Sequence, residues 1–153
     1  MSDLKDTLRT DLTAAIRSRD EVRVATLRMV LTAVTNEEVA GDVARELSDE
    51  EVQAVLRREG KKRREAAHVF AEGGRTERAE RERAELAVLE DYLPAQLDDE
   101  ALAELVAAAI VQTGAQGPQG MGQVMKVAQA EVAGRADGGR VAAEVKRQLT
   151  SAG

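Results

Sequence analysis

Residues 48–70, SDEEVQAVLRREGKKRREAAHVF, carry the clearest helix signals of the chain. Ser48 followed three residues later by Glu51 is a capping box, and Asp49 and Glu50 place negative charge at the positive end of the helix dipole. A helix therefore starts at Ser48, and it runs to about Phe70, before the Gly73-Gly74 pair. Its apolar stripe is Val52, Val55, Leu56, Ala66, Val69 and Phe70. At about 100° per residue the turns between Leu56 and Ala66 should continue that stripe, but they hold Glu59 and Arg63. This predicts a helix whose middle leaves the core and projects into solvent.

The rest of the chain has the same period. Leu4, Leu8, Leu12 and Ile16 recur at four-residue steps in a first helix ending near Arg19, and Val24, Leu27, Val30, Leu31 and Val34 share one face of a second, about Asp20 to Val39. The short connection between them predicts an antiparallel hairpin. A fourth helix, about Thr76 to Tyr92, is charged at first and apolar at Leu86, Leu89 and Leu93, so it docks mainly through its C-terminal half; Pro94 ends it. Asp98 caps a fifth helix carrying Leu102, Leu105, Val106, Ala109 and Ile110. A glycine-rich loop, Gly114 to Gly120, leads to a sixth with Met121, Met125, Ala128 and Val132, closed by Gly134. The turn Arg135 to Gly139 opens a seventh bearing Val141, Val145 and Leu149. No segment has a strand period. The expected architecture is all-α: an N-terminal four-helix domain with long charged helices, residues 1–94, then a C-terminal three-helix tail, residues 95–153.

Composition agrees with helices. The 153 residues are 43% hydrophobic but only 1% aromatic, so the core is built from Ala, Val and Leu. The absence of cysteine excludes disulfides, thiolate nucleophiles and Cys-rich zinc sites. No apolar run approaches the roughly 20 residues of a membrane span, and the N-terminus lacks a signal-peptide layout, which predicts a cytoplasmic protein with no membrane contact.

The run Arg57-Arg58-Glu59-Gly60-Lys61-Lys62-Arg63-Arg64 sets six cations and one anion in eight residues of a chain with net charge −6. On a helix, Arg57, Lys61 and Arg64 fall within about 60° of one another, Arg58 and Lys62 lie one step further round, and Arg63 stands apart. Like charges three and four apart cost a few tenths of a kcal/mol per pair, and only Glu65 relieves them. Two readings stay open, an anion-binding face and an ordinary solvated face. Base stacking is not expected, because the face has no aromatic residue; a contact with phosphate backbone or with shape is.

Catalytic chemistry finds little footing. His68 is the single histidine, without partner ligands at metal spacing, and none of Ser2, Ser18, Ser48 and Ser151 stands in a nucleophile elbow. There is no Walker-type loop, and with 28 acidic residues no one carboxylate pair is informative. No catalytic residue, metal or cofactor is expected. More specific is the segment Gly117 to Lys126. Gly122, just inside a helix start, allows a backbone or a phosphate to approach, with Lys126 one turn further along; alternatively Gly122 serves close helix packing, with Met121 and Met125 in the core.

Leu27-Arg28, Asn36-Glu37, Lys61-Lys62-Arg63-Arg64-Glu65-Ala66 with Gly73-Gly74-Arg75, Tyr92-Leu93-Pro94, Met121-Gly122 with Met125-Lys126, and Gly134-Arg135-Ala136-Asp137-Gly138 follow one another in an order and spacing that resembles the YqeY family (GatB/YqeY). These are free-standing relatives of the tail of the B subunit of aspartyl/glutamyl-tRNA amidotransferases, and the resemblance covers nearly the whole chain. It implies an all-helical protein that contacts tRNA, with Gly122 and Lys126 as the best-matched residues and Arg57, Arg58, Lys61, Lys62, Arg64 and Arg75 as a second surface. A family label of carbon-nitrogen ligase with glutamine as amide donor comes with it, but the machinery for that reaction belongs to the complete amidotransferase. The alternative role is an adaptor for an amidotransferase or aminoacyl-tRNA synthetase partner.

Overall fold

The computed structural model describes residues 2–151, which form seven α-helices, one 3-10 turn and no strand. The chain divides into two compact units, one ending at Leu93 and the other beginning at Pro94.

The first unit holds α1 (Asp3–Ser18), α2 (Glu21–Glu38), α3 (Asp49–Glu72) and α4 (Thr76–Glu90). Its helices begin where side chains can satisfy free amides. Ser2 accepts from Lys5 N–H, Asp20 from Arg23 N–H, and at Ser48 both halves of the capping box are made. Asp49 does more than favour its own helix. It accepts from Ser2 Oγ at 2.6 Å and from the Leu4 amide at 3.0 Å, tying the start of α1 to the start of α3. Leu8, Leu27, Val30, Val34, Leu47, Val52, Val55, Leu56, Val88 and Leu89 bury together as the core, each large side chain contributing about 1.5–3 kcal/mol.

Two apolar stripes differ from expectation. Ile16 is 47% exposed and Ala15 takes its place inside. Each four-residue step turns about 40° past a full circle, so a strict four-step series drifts off the buried face after three steps. The larger correction concerns α3. Its middle does not leave the core: Glu59, Gly60 and Arg63 are buried, in phase with Leu56 and Ala67, while Val69 is 64% exposed. The charged turns continue the buried stripe because α4 brings Glu85 to Arg63. Helix α4 likewise docks along more than its C-terminal half, since Ala79 is buried together with Glu85, Val88 and Leu89.

A buried ion pair anchors the same end of the unit as Asp49. Lys5 Nζ donates to both carboxylate oxygens of Glu38, at 2.7 and 2.9 Å, and the Leu47 amide donates to Glu38 Oε2 at 3.1 Å. One carboxylate thus holds α1, the end of α2 and the loop into α3. At the far end of the hairpin, α3 stops in a Schellman turn: the amides of Gly74 and Arg75 reach Ala71 and Phe70 carbonyls, with Gly74 at φ 76. Gly74→Ala should cost about 1 kcal/mol, because a Cβ is strained in the left-handed region although no atom crowds the site. The shift in chemical-denaturation midpoint checks this.

The second unit holds α5 (Asp99–Thr113), the 3-10 turn Pro118–Gly120, α6 (Met121–Val132) and α7 (Gly138–Ser151). Asp98 caps α5 through the Ala101 amide, and the Asp137 carbonyl accepts from Val141 at the start of α7. Leu102, Val106, Ala109, Val124, Ala128, Val132, Ala136, Val141, Val145 and Leu149 form its core. Met121 and Met125 pack against that core from its edge, and Val124 takes the central place on α6. No described helix is long and apolar enough to cross a membrane.

Candidate nucleic-acid interface

The basic run resolves into two flanks of α3 because that helix is wedged between neighbours. On the side of α2, Arg58 Nη2 donates to Glu37 Oε2 at 3.0 Å and Lys62 Nζ lies 3.0 Å from Glu59 Oε2. Both cations are solvent-exposed, but each already has a carboxylate. They line a groove of about 440 Å³ with Met29, Thr32, Ala33 and Asn36. With Glu37 and Glu59 beside Arg58 and Lys62, the groove is close to neutral.

On the other flank, Arg57 and Lys61 have no ion-pair partner among the described residues, while Arg64 is engaged. Gly60, between them, is buried next to Leu86. Arg57 is half-buried and Lys61 exposed, so the aliphatic stems can lie on the helix while the charges stay in water. Arg63, the sixth cation, is not surface at all. Arg75 is exposed at the hairpin turn, and α3 continues roughly 12 Å beyond Arg64 before that turn, so Arg75 does not join the run. Of the six cations in the run, Arg57 and Lys61 are thus the two without an ion-pair partner among the described residues.

In the second unit Gly122 and Lys126 stand one turn apart on α6, both exposed. A Cβ placed at Gly122 would meet nothing within 4 Å. Close packing inside the chain is thus not what the glycine serves. Gly120 provides the contrast, since a Cβ there would fall 2.6 Å from Ala115 Cβ, and its glycine is a steric requirement of the loop. The start of α6 is not a bare helix end either. The Gly120 amide bonds Gly117 O and the Met121 amide bonds Pro118 O, so the 3-10 turn satisfies donors that an anion would otherwise use. What α6 offers outward is an unhindered stretch of backbone at Gly122 beside the Lys126 ammonium.

Two polar clusters were not anticipated from sequence. Arg63 joins Glu59 and Glu85 in the first core, signalled by the spacing of Leu56, Glu59, Arg63 and Ala67 on one face. Tyr92 donates to Asp11 Oδ2 at 2.5 Å and accepts from Arg23 Nη2 at 3.2 Å, while Arg23 also pairs with Asp91 at 3.1 Å. Burial and the Asp11 carboxylate push the Tyr92 phenol up to about 12. It stays protonated at all working pH, and the cluster acts as a fixed clasp where α4 ends rather than as a proton-transfer group. His68 sits on the surface 3.1 Å from Glu72. No group of three or more potential metal ligands occurs among the described residues.

Residues 5–149 match the model of a protein family described as Yqey-like protein. No curated protein matches the chain.

Proposed function

The chain belongs to the YqeY family, and from that premise we propose that it is a tRNA-binding accessory module without a catalytic centre of its own. The observation that carries the reading is Gly122. An exposed glycine in a helix costs up to about 1 kcal/mol relative to alanine, and no described side chain lies within 4 Å of where its Cβ would stand. A partner's backbone or phosphate approaching α6 would use it, with Lys126 supplying the charge. Arg57 and Lys61 on the first unit provide cations that no carboxylate neutralises. Recognition is of phosphate and shape, since neither surface offers an aromatic platform.

Titration of tRNA by fluorescence anisotropy at several salt concentrations tests this. Affinity should fall with a log-log slope of about −0.7 to −0.9 per phosphate contacted. Lys126→Ala should weaken binding evenly across tRNAs and reduce the slope by about one, and Arg57→Glu with Lys61→Glu should do so more strongly. Gly122→Ala separates structure from recognition. It should raise stability by about 0.5–1 kcal/mol while weakening tRNA binding by roughly tenfold, the equivalent of one lost contact. No binding at low salt overturns the reading. Protein partners recovered by affinity capture after nuclease treatment would then favour the adaptor role toward an amidotransferase or a synthetase.

A further inference from the structure

The most deeply buried charge among the described residues belongs to neither candidate surface. Arg63 is 4% exposed, and Glu59 and Glu85 beside it are 6% and 8% exposed. Arg63 Nη1 donates to the Glu59 carbonyl at 2.9 Å and lies 3.5 Å from Glu59 Oε1. Its Nε is 3.5 Å from Glu85 Oε2 without making a hydrogen bond, and Nη2 meets Met29 Sδ at 2.7 Å. Lys62 and Arg81 face the same two carboxylates from outside. One guanidinium therefore touches α2, α3 and α4.

Such a layer is a poor source of net stability, because apolar side chains of the same volume often hold a core as well or better. Its position suggests another use. Beyond Arg63 toward the hairpin turn, the buried residues of α3 and α4 are Ala67 and Ala79. Alanines bury little area and do not distinguish pairings one helical turn apart. The sequence of α4, TERAERERAELAVLE, repeats Ala, Glu and Arg closely enough that shifted pairings resemble the native one.

We propose that Arg63, with Glu59 and Glu85, sets the register in which α3 and α4 pair. A shift of α4 by four residues in one direction sets Arg81 where Glu85 stands, cation against cation. The same shift in the other direction sets Leu89 there and leaves Arg63 buried without Glu85. A three-residue shift offers Glu82 to Arg63 but carries the Glu85 carboxylate into the place of Val88, among the apolar side chains of the core. Each alternative leaves a buried charge unpaired, which excludes it. The register in turn sets Leu86 against Gly60 of α3.

The chain has no cysteine, so spin labels can be attached to the full chain at Lys61→Cys and Arg83→Cys, both exposed sites. Distances between them are read by double electron–electron resonance in the parent sequence and in Glu59→Leu/Arg63→Met/Glu85→Leu. The parent should give one narrow distance. The triple variant should remain helical but split or broaden the distribution, with components displaced by up to about 6 Å, the rise of four helical residues. A single unchanged distance would show that the Schellman turn and the core fix the register by themselves, and would overturn the proposal. A triple variant that does not fold would also count against it, because the charged layer would then be a source of stability rather than of register.

Discussion

Arg63→Ala should destabilise the first unit by about 3–5 kcal/mol, the range for breaking a buried ion pair by removing one partner. The loss is large because of what stays behind. Glu59 and Glu85, whose side chains are 8% and 10% exposed, would lose the guanidinium they share, and the aliphatic stem of Arg63 would leave a gap between α3 and α4. A domain of this kind has a total stability of about 5–15 kcal/mol, so the variant should be marginal. Arg58→Ala is the control. It removes an exposed pair with Glu37, side chains 51% and 38% exposed, and should change stability by less than about 1 kcal/mol. The chain has one tyrosine and no tryptophan, so Tyr92 fluorescence during urea unfolding follows the first unit alone. Equal midpoints for the two variants would show that burial of Arg63 carries no energetic weight.

Glu38→Ala should cost about 3 kcal/mol at neutral pH, because it leaves the Lys5 ammonium and the Leu47 amide without their acceptor. The same residue gives the protein an acid limb. The hydrogen bond from Lys5, followed by that from Leu47, holds the Glu38 carboxyl below its ordinary value of 4.5. A group whose folded pKa is depressed stabilises the fold fully above its unfolded pKa and loses that contribution as pH falls through the folded value. Glu51, held at about 2 chiefly by the Arg45 hydrogen bond, and Asp49, held down by Ser2 and the Leu4 amide, act in the same direction. Stability of the parent should therefore decline from about pH 4.5 toward pH 2. Glu38→Ala should be less stable than the parent at pH 7 and converge on it in acid, which thermal melts across that range can follow. A constant difference between the two would mean that folding leaves the pKa of Glu38 unshifted.

Helix positions were legible because the signals that set them are local. The capping box at Ser48, the cap at Asp98 and the glycine pair after α3 act over three or four residues. The second core was legible for a related reason on α5 and α7, whose apolar periods are clean, whereas on α6 Val124 and not the Met121–Met125 pair is central. The basic run was legible only as composition. That Arg58 and Lys62 are neutralised while Arg57 and Lys61 are not depends on Glu37, twenty-one residues before Arg58, and on which side of α3 packs against α2. Gly122 was legible as a glycine near a helix start, but the empty space around it was not.

Local patterns specify an all-helical chain, seven helices among the described residues, and the family. Which face of α3 is inside depends instead on packing against α2 and α4. Periodicity assigns charged residues to solvent, and for an isolated helix that is correct, since an unpaired ion is too costly to bury. Arg63 escapes the rule through Glu85, twenty-two residues later on another helix, and through the contact with Met29 thirty-four residues earlier. Burial of a charge is set by partners distant in sequence, and no local pattern encodes them.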